Sequence, residues 1–103
     1  MKALSLLGMA QAAGKLVSGD NATYEALRQN KVKLLIIAAD ASSRTKKRFI
    51  TAAQSAAAPY LELAGMTELG KAIGKPDRAV IGVVDAGFAR SLIRSMPDSG
   101  NSV

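Results

Sequence analysis

Asp40 and Asp85 each close a continuous apolar run, "LLIIAA" and "AVIGVV", and each directly precedes a helical stretch. In an open α/β sheet, ligands bind beyond the carboxyl ends of the strands, so two carboxylates there could serve as a general acid and base. Helix capping is the stronger reading, because an Asp just before a helix accepts from its first free N–H groups. The rest of the catalytic inventory is thin. The 103-residue chain has no His and no Cys. That removes the commonest general base, the commonest metal ligand and the thiolate nucleophile. "GK" occurs at Gly14–Lys15, Gly70–Lys71 and Gly74–Lys75, but none is followed by Ser or Thr and none has the glycine spacing of a phosphate-binding loop. The residues point to a non-enzyme, with no metal site and no cofactor.

The cations suggest different chemistry. Lys and Arg number 14 against 8 Asp and Glu, for a net charge of +6. A balance this basic favours a polyanionic partner, most often nucleic acid. The cations gather at element ends: Arg28, Lys31 and Lys33; Arg44, Lys46, Lys47 and Arg48; Lys71, Lys75 and Arg78; and Lys15 on its own. The group from Arg44 to Arg48 falls in the first turns of a helix. There it opposes the macrodipole, at a few tenths of a kcal/mol for each charge. An anion bound at the helix start would relieve that cost. The competing arrangement splays these charges into solvent on different faces.

A third feature is the stretch "SGDNATYEALRQ", Ser18 to Gln29. It reads as a glycine turn opening a short helix, with Asp20 and Asn21 as capping candidates. Either the helix start faces an external ligand, or the caps only satisfy the helix itself.

Positioning these groups requires one modest core, which 103 residues with 49% apolar and 4% aromatic content can supply. Leu4, Leu7 and then Ala10 or Gln11 lie at helix spacing, and Gly14 stops that helix. The same N-terminal stretch has a faint leader-peptide look, but Gln11 and Lys15 interrupt it and helical periodicity accounts for it better. "KLVSG" has room for a small strand. A second helix spans about Asp20 to Asn30, with Ala22, Ala26 and Leu27 on its apolar side. Leu34–Ala39 and Ala79–Val84 read as buried strands. Between them come a helix capped at Ser42 or Ser43 with Phe49, Ile50 and Ala53 inward, a brief strand after Pro59, and a short helix capped at Thr67 and ended by Gly74. A last helix carries Phe88, Leu92 and Ile93 inward. Alternating helices and strands predict an α/β fold, a three-layer α/β/α sandwich around a four-stranded mixed sheet, over residues 1–96. Residues 97–103 read as a flexible tail. Periodicity leaves the strand order open. No run reaches the length of a membrane span, and the expected compartment is the cytoplasm.

Four stretches in order, "AAGKLVSGDN", "KLLIIAADAS", "ELGKAIGK" and "VVDAGFA", together resemble the ribosomal L7Ae/L30e superfamily of RNA-binding proteins, in its small bacterial YlxQ-type branch. The resemblance runs from about Leu4 to Leu92. It implies an α/β/α sandwich that binds kink-turns in structured RNA. In such proteins a "G-x-N-E-x-x-K" helix start reads the sheared G·A pairs, and the neighbouring loops hold a flipped-out nucleotide. This suits RNA, whose irregular, unstacked regions are read through shape, backbone and exposed base edges.

Carried over residue by residue, Gly19 and Asn21 match the motif's Gly and Asn. Its Glu falls on Ala22 and its Lys on Glu25, a charge reversal. A pocket position often held by Glu falls on Ser42, and the Lys before "L-G" falls on Met66. Ala79 and Val80 match the apolar loop contact, and Lys15 matches a lysine at the motif's entrance. The implied RNA-binding set is Lys15, Gly19, Asp20, Asn21, Arg44, Lys46, Lys47, Lys71, Lys75, Arg78, Ala79 and Val80. The resemblance thus implies a non-catalytic RNA binder that is monomeric and associated with the ribosome or with translation proteins. The replaced positions imply relaxed or altered specificity, since each lost bidentate base contact costs about 1–3 kcal/mol. The alternative is a protein-interaction module on the same scaffold, docking through "APYLELAGM" or the last helix.

Overall fold

The computed structural model describes residues 2–96; the expected tail, residues 97–103, lies outside them. Nine elements follow one another: α1 (Lys2–Ala12), β1 (Leu16–Ser18), α2 (Asp20–Arg28), β2 (Leu34–Ile37), α3 (Ser43–Ser55), β3 (Tyr60–Glu62), α4 (Met66–Ala72), β4 (Val80–Val83) and α5 (Ala86–Ser95). The four strands form one mixed sheet in the order β1-β4-β2-β3. β4 is antiparallel to both β1 and β2, while β2 and β3 run parallel, joined through α3. α2 and α3 pack together on one face, and α1, α4 and α5 on the other. This is the expected three-layer sandwich.

The two central strands explain the sandwich. Leu34–Ile37 and Val80–Val83 are buried along their whole length, so both sheet faces need a helical cover. Leu7 from α1, Leu69 from α4 and Leu92 from α5 supply one cover, and Leu27 and Phe49 the other.

Local departures from the sequence pattern have simple causes. Ala22 is exposed, and Thr23 turns inward instead, fully buried beneath α2. Gly82 lies beneath it, with no side chain to hold Thr23 off the sheet. Ile93 is 38% exposed, because the inner stripe of α5 runs through Ala89 and Leu92. α4 begins after Gly65 rather than at Thr67, because Glu68 Oε1 accepts the Gly65 N–H at 2.9 Å and Asp40 Oδ1 accepts the Met66 N–H at 2.8 Å. No helix among the described residues is long and apolar enough to cross a membrane.

Candidate nucleic-acid interface

Strand directions decide which residues can act together. β1, β2 and β3 all run the same way, and β4 runs against them. The starts of α2, α3 and α4 and the approach to β4 therefore share one edge of the sheet. Hydrogen bonds tie these connections together. The Gly19 N–H donates to the Val80 carbonyl at 3.1 Å, Ala38 N–H to Ala79 at 2.8 Å, Ala39 N–H to Ala64 at 2.7 Å, and Arg78 N–H to Met66 at 3.0 Å. Arg78 Nε donates to Ser18 Oγ at 3.0 Å, bracing the loop before β4 against the end of β1.

At this edge the start of α2 stands open. Gly19 has φ 89°, a left-handed conformation that L side chains rarely adopt, and it occupies the cap position itself. No side chain caps the helix. Asp20 and Asn21 are its first two residues and both are exposed. Among the described residues neither side chain has a hydrogen-bond partner, so the capping role expected of them is not the one they play. The free first-turn N–H groups and the Asn21 amide together face outward.

The loop from Lys75 to Ala79 completes the edge. It can lie this close to α4 because Gly70 has no side chain: a Cβ there would run into the Pro76 carbonyl and reach within 2.8 Å of the Lys75 carbonyl. Arg78 and Ala79 are half-buried on this loop, and Lys75 is exposed. Val80 does not offer the apolar contact expected of it. It lies wholly inside β4, 0% exposed, and presents no side chain for an apolar contact.

Three more expected positions lie elsewhere. The Lys15 carbonyl accepts from the Val84 N–H at 2.9 Å, so Lys15 sits at the opposite edge, about 13 Å from Gly19 at the usual strand rise. Lys71 borders a hollow against Leu4 and Ser5 of α1, on the far face of the sheet from α2 and α3. Lys46 turns towards β3 and pairs with Glu62 at 3.4 Å. Arg44 and Lys47 flank a depression between α2 and α3 together with Arg28 and Arg48. The α3 cations thus divide: three share one side and Lys46 splays away.

The two aspartates are also separated. Because β2 and β4 are antiparallel, Asp40 and Asp85 lie at opposite edges and cannot form an acid–base pair. Asp40 holds the first N–H of α4, and Asp85 Oδ2 accepts the Phe88 N–H at 2.8 Å, capping α5. Both carboxylates serve helix starts.

The replaced positions are engaged locally. The Glu25 carboxylate accepts from Arg28 at 3.3 Å and Gln29 at 3.0 Å, which draws it along α2 away from the helix start. Ser42 Oγ caps α3 by accepting the Thr45 N–H at 3.1 Å. Met66 is half-buried. Nothing local in the sequence marks Ser18 and Gly70 as part of the site. Their roles depend on Arg78 and Pro76, which lie far off or across a turn.

A family model for "Ribosomal protein L7Ae/L30e/S12e/Gadd45 family" matches residues 1–93. The chain is 42% identical over 89 residues to "RNA-binding protein YlxQ" of Enterococcus faecium, covering 86% of this chain and 85% of that one. It is 38% identical over 93 residues to the Bacillus subtilis protein of the same name, covering 90% and 93%. A solved structure of a Bacillus halodurans protein of unknown function superposes with a TM-score of 0.86 at 41% identity, covering 90% of this chain and 94% of the other.

Proposed function

The chain belongs to the ribosomal protein L7Ae/L30e/S12e/Gadd45 family, and from that premise we propose that it is a non-catalytic protein that binds structured RNA through its loop edge. The observation that carries this reading is the uncapped start of α2. Gly19, Asp20 and Asn21 leave first-turn N–H groups and an amide side chain outward, beside the braced loop that bears Arg78. Such a start suits an RNA backbone and unpaired base edges. The bacterial relatives named as RNA-binding proteins support the same reading.

Within it, kink-turns are the RNA class, and specificity is relaxed. Ala22 has no group to accept from a guanine edge, and Ser42 is committed to capping α3. Glu25 is drawn towards Arg28 and Gln29, so its charge repels RNA less than its position in the motif suggests. The protein acts as a cytoplasmic monomer in association with the ribosome or translation proteins.

The test is a titration against a kink-turn RNA and a straight duplex of equal length at two salt concentrations, with Asn21→Ala alongside. The expected result is binding to both RNAs, a modest preference for the kink-turn, and loss of that preference in the variant. No retention of either RNA at low salt overturns the reading.

A further inference from the structure

A groove of about 640 Å³ runs between α2 and α3. Its cations are Arg28 from α2 and Arg44, Lys47 and Arg48 from α3, and no carboxylate lines it. Arg28 is partnered by Glu25. Arg44 and Lys47 have no ion-pair partner among the described residues. The loop edge differs in charge: Asp20, Asp40, Glu68 and Asp77 are all exposed there. The cations between α2 and α3 therefore gather where no carboxylate lies among them.

Arg48 is held in place. Its guanidinium lies 4.3 Å from the centroid of the Tyr24 ring and 5.2 Å from that of Phe49. Tyr24 in turn meets the buried Phe49 edge-on, with centroids 6.0 Å apart. A stacked guanidinium keeps its planar fork of donors at a fixed orientation, which lowers the ordering cost of gripping a phosphate. Beyond Arg48, the α3 side of the groove is lined by Thr51, Ala52 and Ser55, whose small side chains leave the channel open. α2 and α3 both start at the loop edge, so the groove leads directly away from it.

We propose that this groove takes the sugar–phosphate backbone of an RNA stem flanking the element held at the loop edge. Arg48 acts as a braced phosphate fork, and Arg44 and Lys47 supply further phosphate contacts. The inference rests on the RNA-binding reading and extends it from the edge to the flank. An acidic polypeptide fits less well, because stable protein interfaces need a desolvated aromatic or apolar anchor. The one ring lining the groove, Tyr24, is already covered by Arg48. A phosphate backbone needs only the cations, and it offsets their placement at the start of α3.

The experiment compares two RNAs. One is a kink-turn with both stems cut to the minimum, and the other has one stem lengthened by a full helical turn. Wild type, Arg44→Gln/Lys47→Gln and Arg48→Gln are titrated over a range of salt, with thermal melts confirming the fold. Arg44 and Lys47 are both exposed and neither is stacked on a ring, so their double variant keeps the test valid if Arg48→Gln unfolds. Wild type is expected to prefer the long-stem RNA. The double variant should lose about tenfold on it and lower its salt slope by about two, one for each phosphate contact removed. On the short-stem RNA the loss should be about twofold or less, from screened long-range attraction. Equal losses on both RNAs, or none on either, overturn the groove assignment while leaving the loop-edge reading intact. Immobilised polyglutamate is run alongside, and variants that lose retention on it while RNA binding is unchanged overturn the assignment in favour of an acidic protein partner. Failure of wild type to retain either RNA removes the RNA reading and this inference together.

Discussion

Arg78 donates through Nε to Ser18 Oγ at 3.0 Å, across a sequence separation of 60 residues. Nη1 of the same guanidinium also donates to the carbonyls of Pro76 at 3.4 Å and Asp77 at 3.1 Å. One half-buried side chain thus holds the loop before β4 in shape and fastens it beside the start of α2. Arg78→Ala removes the brace and leaves polar groups to find water, which predicts a loss of about 1–3 kcal/mol in denaturant unfolding. Arg78→Lys separates bracing from charge, since an ammonium cannot reproduce the fork. The lysine variant is expected to resemble the alanine variant in both stability and RNA affinity. Full recovery by lysine would mean that only the positive charge matters.

The same loop depends on Gly70 from beneath. A methyl group there would collide with backbone carbonyls of residues 75 and 76, and a backbone carbonyl cannot swing aside as a flexible side chain can. Gly70→Ala is therefore expected to destabilise the fold by about 1–3 kcal/mol, the range for forced overpacking, although alanine favours helix. The urea midpoint tests this, and RNA affinity should fall with it because the loop carrying Arg78 is displaced. A raised midpoint would show that helix propensity outweighs the clash.

Asp40 and Asp85 are expected to behave as independent helix-start ligands. Asp85→Ala removes a side-chain cap and should cost about 1 kcal/mol. Asp40→Ala strands the Met66 N–H, at a similar cost of about 1 kcal/mol. Because the two lie at opposite edges of the sheet, the double variant should equal the sum to within about 0.5 kcal/mol. A larger coupling energy in the double-mutant cycle would contradict the separation.

These cases also mark what the sequence reveals. The buried strands were legible because each is a short unbroken apolar run bounded by charge, and the Asp85 cap because its position before a helix is local information. Strand direction is not local. An acid–base role for Asp40 and Asp85 would require parallel strands, and antiparallel pairing of β2 with β4 separates them. The same geometry takes Lys15 to the far edge, although only four positions part it from Gly19. Val80 illustrates the opposite difficulty. Its resemblance to an apolar contact position and its place in the apolar run Ala79–Val84 point opposite ways, and the run prevails: β4 begins there and buries it. The cationic groove was unreadable for another reason: it requires Arg28 of one helix and Arg44, Lys47 and Arg48 of the next to meet across a packing interface. Only the outcome of tertiary packing brings them together.

Two side chains separate the start of α2 from the motif it resembles. Ala22 is the third residue of α2 and exposed, so Ala22→Glu places a carboxylate where the macrodipole favours it and no core contact is lost. Glu25→Lys breaks the links to Arg28 and Gln29, which are solvent-exposed and contribute little to stability. The double variant should therefore melt close to wild type. If the edge built from Gly19, Asn21 and the braced Arg78 loop retains its geometry, restoring the two side chains adds base and phosphate contacts to kink-turn RNA alone. Each bidentate base contact is worth about 1–3 kcal/mol, so the expected gain is about tenfold or more on the kink-turn. The straight duplex should improve far less, reflecting only the net gain of one positive charge. A comparable gain on both RNAs would assign the effect to charge. No gain on either would mean that the edge has lost its RNA-reading geometry along with its side chains.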